Sequence, residues 1–299
     1  MAFPTDTYAE ADATVFAPNV WGSAVNDFLK SKLVMADHFM NRSDELAGGG
    51  KTLETPNITE MGANAKTNGA AVTLNSPTET KITLTVDQWF EVSFAIEDKQ
   101  NAQFKHSYYL QEKLAKNAGY TTAKKLEVAL ASLFVSFSNS VGASTTAPVD
   151  SDIRKAIGIY EGGNNEESDG MFFFDKKVIW NGLMGIDKFT LAVNAPNMNP
   201  VSGGVMGKLY GYPVAGSNNI QYVSSTTGRV NALASKDALH WATSPLGVMS
   251  KGGMSGAMGV RVQSNYIPDY LSTIVTADIL YGVIENRDAA GVRFLTKAY

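Results

Sequence analysis

The sequence predicts an α+β protein whose compact body carries an extended arm and a projecting hairpin. Three observations lead there. Residues 82–96 alternate apolar and polar side chains with period two, residues 98–138 are proline-free and rich in helix formers, and the chain after Pro148 switches to short alternating helices and strands.

Taken in order, residues 1–45 mix polar and modestly apolar positions. Trp21, Val25, Phe28 and Leu29 share one helical face and are followed by Leu33, Met35, Ala36 and Phe39, which predicts a short amphipathic helix inside a longer arm. From Arg42 to Thr80 large apolar residues are sparse, and Gly48-Gly49-Gly50, Thr55-Pro56-Asn57, Asn68-Gly69 and Asn75-Ser76-Pro77 punctuate the stretch. Asn68-Gly69 suits the tip of a tight hairpin. A hairpin of this composition cannot bury its own backbone polar groups, so it moves freely or leans on a neighbour.

Positions Ile82, Leu84, Val86, Phe90, Val92, Phe94 and Ile96 are apolar, while Lys81, Thr83, Thr85, Asp87, Glu91 and Ser93 are polar; Gln88 and Trp89 break the pattern. Read as one strand, 82–96 reaches ~50 Å. The helix predicted over 98–138 spans up to ~60 Å. Its first half places Leu110, Leu114 and Ala118 on one side, with Lys105, Lys113, Lys116 and Lys124 on a stripe roughly opposite. Its second half turns Leu126, Leu130, Leu133, Phe134 and Phe137 to a rotated face, and Gly119 marks the change. A long bent helix, or two collinear ones, follows.

Beyond Pro148, Asp150 is placed to cap a helix running to Tyr160 and closed by Gly162-Gly163. Met171-Phe172-Phe173-Phe174 reads as a short buried strand, and Asp175 caps a helix with Val178, Trp180 and Leu183. A Pro/Asn/Gly loop over 194–204 leads to Gly207-Lys208-Leu209-Tyr210-Gly211-Tyr212-Pro213-Val214. A strand over Arg229–Ala234 precedes a short helix over Lys236–Thr243, and strands over Val260–Tyr266, Ile274–Glu285 and Val292–Leu295 finish the chain.

Composition narrows the function. The 299 residues are 44% hydrophobic and only 18% charged, with 27 Gly and a formal net charge of −4. Such a balance argues against recruiting DNA by bulk charge and suits surface destined for other protein. The absence of Cys removes disulfides, thiol nucleophiles and Cys-ligated metals, and three scattered His leave little for a histidine metal centre. No cofactor is expected. The first residues lack the pattern of a signal peptide, and no apolar run approaches ~18 residues, so no membrane partner is expected.

Several motifs fail on spacing. Gly48-Gly49-Gly50-Lys51-Thr52 lacks the earlier glycine of a phosphate loop, since Glu45 stands there. The turn Asn165–Gly170 has Lys176 where a calcium loop needs Glu. In Gly253-Met254-Ser255-Gly256 the second glycine comes one residue too early for a nucleophile elbow. His240 has no sequence-linked Ser or Asp. No catalytic constellation emerges, and the lysine stripe is either a solvated face or a contact for nucleic acid or an acidic partner.

The order of elements, together with Gly207–Val214 and Arg229–Trp241, resembles the major capsid protein of tailed bacteriophages, the Hong Kong 97-like fold, over essentially the whole chain. The resemblance implies an N-terminal arm (1–45), an extended loop (46–81), a peripheral domain with a long spine helix (82–146 and 258–288) and an axial α/β domain (147–257 and 289–299). It implies a structural protein, not an enzyme, that self-assembles as hexamers and pentamers of an icosahedral shell. That shell would form in the host cytoplasm and become the virion capsid. It further implies a procapsid that expands during maturation, with Gly48, Gly49, Gly50 and Gly119 as hinges, and weak non-specific contact between the lysine stripe and packaged double-stranded DNA. A chain starting at the arm implies a separate scaffolding protein. A portal belongs to the same assembly, and a decoration protein is left open. Some family members cross-link a loop lysine to a neighbour, but Lys51, Lys66 and Lys81 do not match that site. An encapsulin-type compartment shell shares the fold, and an α/β enzyme with its site in 147–257 is the alternative from another class.

Overall fold

The computed structural model describes residues 33–58, 61–103, 107–186, 207–224, 227–244, 254–255 and 259–299. Trp21, Val25, Phe28, Leu29 and Lys105 therefore lie outside the described residues, as does the loop over 194–204.

The arm enters through a single-turn helix, α1 (Met35–His38), and a two-residue strand, β1 (Met40–Asn41). A hairpin follows, made of β2 (Thr52–Ile58) and β3 (Glu79–Thr85), paired from Thr52↔Thr85 to Ile58↔Glu79. Then come β4 (Gln88–Glu97), α2 (Asp98–Gln103) and the long α3 (Ser107–Ser132). The strand read over 82–96 is thus two strands. The alternation hides the break because Val86 keeps its parity and packs with Leu46 and Leu84. The two positions that broke the pattern mark it: β3 pairs with β2, whereas Gln88 and Trp89 open the pairing of β4 with another partner. Of the helical stretch, α2 and α3 are described, and residues 104–106 between them lie outside the described residues. α3 itself runs unbroken through Gly119, since one glycine costs a helix only ~1 kcal/mol relative to alanine.

The remainder comprises β5 (Ser140–Gly142), α4 (Asp150–Gly162), β6 (Met171–Asp175), α5 (Lys176–Asn181), β7 (Lys208–Leu209), β8 (Tyr212–Ser217), β9 (Arg229–Ala234), β10 (Leu239–Thr243), β11 (Met254–Ser255), β12 (Arg261–Ile267), β13 (Ser272–Glu285) and β14 (Gly291–Thr296). Two expectations change here. Asp150 is helical rather than a cap, and its carboxylate accepts from Arg154 and from the Tyr210 hydroxyl. The segment ending at Thr243 is strand β10, not a helix; both its faces are buried, so its short apolar run carries no alternation to betray it. Asp175 does cap α5, accepting the Lys177 N–H at 2.8 Å.

Three sheets result. The first joins β1, β10, β13, β12 and β11, with β4 also on β13; the second runs β5-β14-β9-β6-β8-β7; the hairpin is the third. The 14-residue β13 organises the first sheet. It pairs with β4 and β12 along its N-terminal part and with β10 at Tyr281–Glu285. The second sheet is buried on both faces. Phe172, Phe174, Leu233 and Phe294 pack on the side of α4 and α5, while Phe173, Val230, Ala232 and Ala234 face α3. That latter cluster runs on through Leu126, Leu130, Phe134, Trp241, Ile279 and Tyr281 into the first sheet, so the two sheets share one core.

The hairpin root is fixed where it crosses β13. Leu46, Leu84 and Val86 pack on Ala242 and Leu280, and a side chain at Gly282 would collide with the Thr85 carbonyl. Replacing Gly282 with Ala is therefore expected to destabilise the protein by about 1–3 kcal/mol in urea unfolding, through displacement of the hairpin root.

Candidate interaction surfaces

Catalytic materials are dispersed. His240 lies in β10 between Met40 of β1 and Ile284 of β13; its Nε2 is buried without a partner. His38 turns its Nε2 to the Ala234 carbonyl at 3.2 Å. Burial holds both below the ordinary histidine range. Among the described residues no cluster of three His, Asp or Glu is arranged to hold a metal ion, and no helix is long and apolar enough to cross a membrane. Clefts of about 370 and 430 Å³ open beside Ser140, Asp152 and Ile159 and beside Val34, His38 and Lys236.

The hairpin is the dominant exposed feature. Its strands are tied by the cross-strand Lys81–Glu54 ion pair at 2.7 Å. Beyond them the chain turns where Ala70 N–H bonds to the Thr67 carbonyl at 3.2 Å and Gly69 supplies φ +81°. Asn64 and Asn75 bridge the two limbs at 2.6 Å. The predicted tip at Asn68-Gly69 is therefore where the chain turns. Ile58, Met61, Val72 and Leu74 lie on this hairpin, and Leu74 is 88% exposed. Ala71-Val72-Thr73-Leu74-Asn75 has the alternation and β-branching of a strand, yet pairs with nothing among the described residues. Both features are what a segment shows when its partner is another molecule.

At the base, Gly48, Gly49 and Gly50 are exposed between a short turn over Ser43–Leu46 and β2. Gly49 adopts φ +88° and bonds back to the Leu46 carbonyl at 2.9 Å, a conformation that favours glycine. Of the lysine stripe, Lys116 and Lys124 are exposed on α3 and Lys113 is half-buried. The spacing missed Lys125, whose Nζ sits 5.1 Å from the Phe90 ring centroid.

Two further features were hidden in the sequence. Gly207–Val214 is a hairpin, β7–β8, with Tyr210 and Gly211 at φ +50° and +93° in the tight turn. Glu127, inside the apolar stripe of α3, is buried and bonds to α1. A lone charged residue between Leu126 and Leu130 was the available signal.

On the face of the first sheet away from α3, Arg261 holds Asp278 with two bonds, 2.9 Å from Nε and 2.6 Å from Nη2, and the Trp89 indole N–H adds a third at 3.2 Å. This cluster locks β4, β13 and β12 in register beneath the hairpin.

No family model and no curated protein matches the sequence. Solved structures do match in fold. One from Mycobacterium phage Che8 aligns with 93% of this chain and 97% of its own at TM-score 0.72 and 16% identity. The mature capsid of bacteriophage PhiM1 aligns with 93% of this chain and 91% of its own at TM-score 0.70 and 13% identity. The capsid of a native GTA particle aligns with 99% of this chain and 100% of its own at TM-score 0.66 and 12% identity. The chain shares the fold of these structures, two of them described as capsids, over 93–99% of its length.

Because Asp278 is buried and Arg261 nearly so, Asp278→Ala is expected to cost about 3 kcal/mol, as for breaking a buried ion pair. Equilibrium urea unfolding measures it.

Proposed function

We propose that the chain is a major capsid protein, the repeating subunit of a closed icosahedral shell around packaged double-stranded DNA. The end-to-end likeness to phage capsid structures carries this reading. The physical character of the surface supports it. A hairpin that leaves Val72 and Leu74 in water gains by lapping a neighbour, and a subunit that tiles a shell meets neighbours on several sides.

In this reading the fold is Hong Kong 97-like, with the arm at 1–45 and the extended loop at 46–81. The peripheral domain is 82–146 with 258–288, and the axial domain is 147–257 with 289–299. Subunits assemble as hexamers and pentamers on a separate scaffolding protein, with a portal at one vertex. Gly48, Gly49 and Gly50 let the hairpin swing about the root fixed at Gly282 as the shell expands, and Gly119 lets α3 flex. Lys105, Lys113, Lys116 and Lys124 face the interior, where their contact with DNA is weak and salt-sensitive. The role is structural rather than enzymatic, and the mature location is the virion.

The full chain, expressed with its neighbouring gene products, is expected to give closed shells by negative-stain microscopy. A discrete small oligomer in place of shells overturns the reading, and shells filled with enzyme instead of nuclease-protected DNA point to a compartment. Leu74→Asp is expected to lower shell yield at least ~10-fold. Subunit stability should stay within about 0.5 kcal/mol, because this side chain touches little in its own chain.

A further inference from the structure

The arm is docked on an unusual group. Glu127 of α3 is 1% exposed. Its Oε1 accepts the Val34 N–H and its Oε2 the Met35 N–H, both at 3.0 Å. The Ser217 hydroxyl, at the end of β8, donates to Oε1 over 3.4 Å. One carboxyl thus joins the arm, the long helix and the second sheet.

The charges on the surrounding elements are engaged elsewhere. On α1, Asp37 is exposed, and His38 faces the Ala234 carbonyl with Lys236 and Asp169 as its charged neighbours. On α3, Lys124 is exposed and Lys125 lies over Phe90. β8 contributes Ser217 and no charged side chain. Among the described residues no cation offsets Glu127. Burying an unpaired carboxylate is strongly disfavoured, and the N–H donors offset only part of that.

We propose that Glu127 is a proton-coupled latch: closing α1 and β8 onto α3 takes up one proton from solvent at this carboxyl, and losing that proton loosens the arm. On protonation the Ser217 hydroxyl turns its own hydrogen away from Oε1 and becomes the acceptor of the carboxyl proton, while the carboxyl oxygens keep lone pairs for the Val34 and Met35 N–H groups. Burial raises this carboxyl above the ordinary glutamate range. The sign follows: docking is favoured below the raised value and weakens as pH rises through it. In the undocked state Glu127 meets water and titrates normally.

Amide hydrogen exchange over residues 33–42 of the full chain tests the latch between pH 5 and 8.5, with rates corrected for intrinsic pH dependence. Protection of β9 in the same digest normalises for global unfolding. Wild-type protection is expected to fall by up to ~10-fold per pH unit between the ordinary glutamate value and the raised one, the slope of one proton, and to level off above it. Glu127→Gln, uncharged at every pH, is expected to stay protected with no slope, and Glu127→Ala to lose protection throughout. Parallel slopes in wild type and Glu127→Gln, or wild-type protection retained in Glu127→Ala, overturn the proposal. A flat wild-type profile does so by itself, even if a variant fails to fold. The readout lies within one chain, so it stands or falls separately from the capsid reading.

Discussion

The structure hangs on one shared core. The C-terminal half of α3, with the 3-10 turn Leu133–Val135 that follows it, presents Leu126, Leu130 and Phe134 at once to the arm, to the second sheet through Phe173 and Ala232, and to the first sheet through Trp241 and Ile279. Because these side chains are common to both sheets, neither sheet can shift without opening a void in the same cluster, and voids in close-packed cores are costly. The backbone reinforces the joint. The chain crosses between the two sheets three times, after β4, after β9 and after β13, and the last two crossings bond to each other: Ser235 N–H to Ala290 O at 3.0 Å and Asn286 N–H to Ala238 O at 2.9 Å. The arm is stapled to the same place by β1–β10 pairing and by the Trp241 indole, which donates to the Ala36 and Phe39 carbonyls.

Outside that joint, the molecule leaves work undone. A 10-residue strand, β4, pairs on one side with β13 and with no other strand among the described residues. The hairpin carries a strand-like sequence that joins no strand among the described residues, and Tyr270 and Leu271 stand exposed at the turn before β13. Open edges and exposed apolar tips are hazards for an isolated protein. They become contacts when many copies meet in fixed geometry. Under the proposed role, a rigid joint with open extremities is what a lattice subunit needs.

Legibility in the sequence followed how local the cause was. Met171–Phe174, the Asp175 cap and the Asn68-Gly69 turn were readable because propensity, capping and positive φ act within a few residues. The split between β3 and β4 was not readable: Val86 keeps the period, and only the separate partners β2 and β13 make two strands of one pattern. β10 was misread for a related reason, since burial on both faces erases the alternation that separates strand from helix. Of the candidate surfaces, the hairpin and its glycines were legible as departures from compactness. Glu127 was not, because its value lies in Val34 and Ser217, which are 93 and 90 residues away in sequence.

By itself the sequence determined the α+β class, the projecting hairpin and its turn, the buried strand β6 and the apolar face of α3. Only the tertiary structure decided which strands share a sheet, where the hairpin root crosses β13 at Gly282, and that both sheets and the arm close on one cluster around a buried carboxyl. The physical reason is range. Backbone preference and periodicity are properties of neighbouring residues, whereas partners for a sheet edge, a core face or a buried charge come from distant segments that meet only after folding.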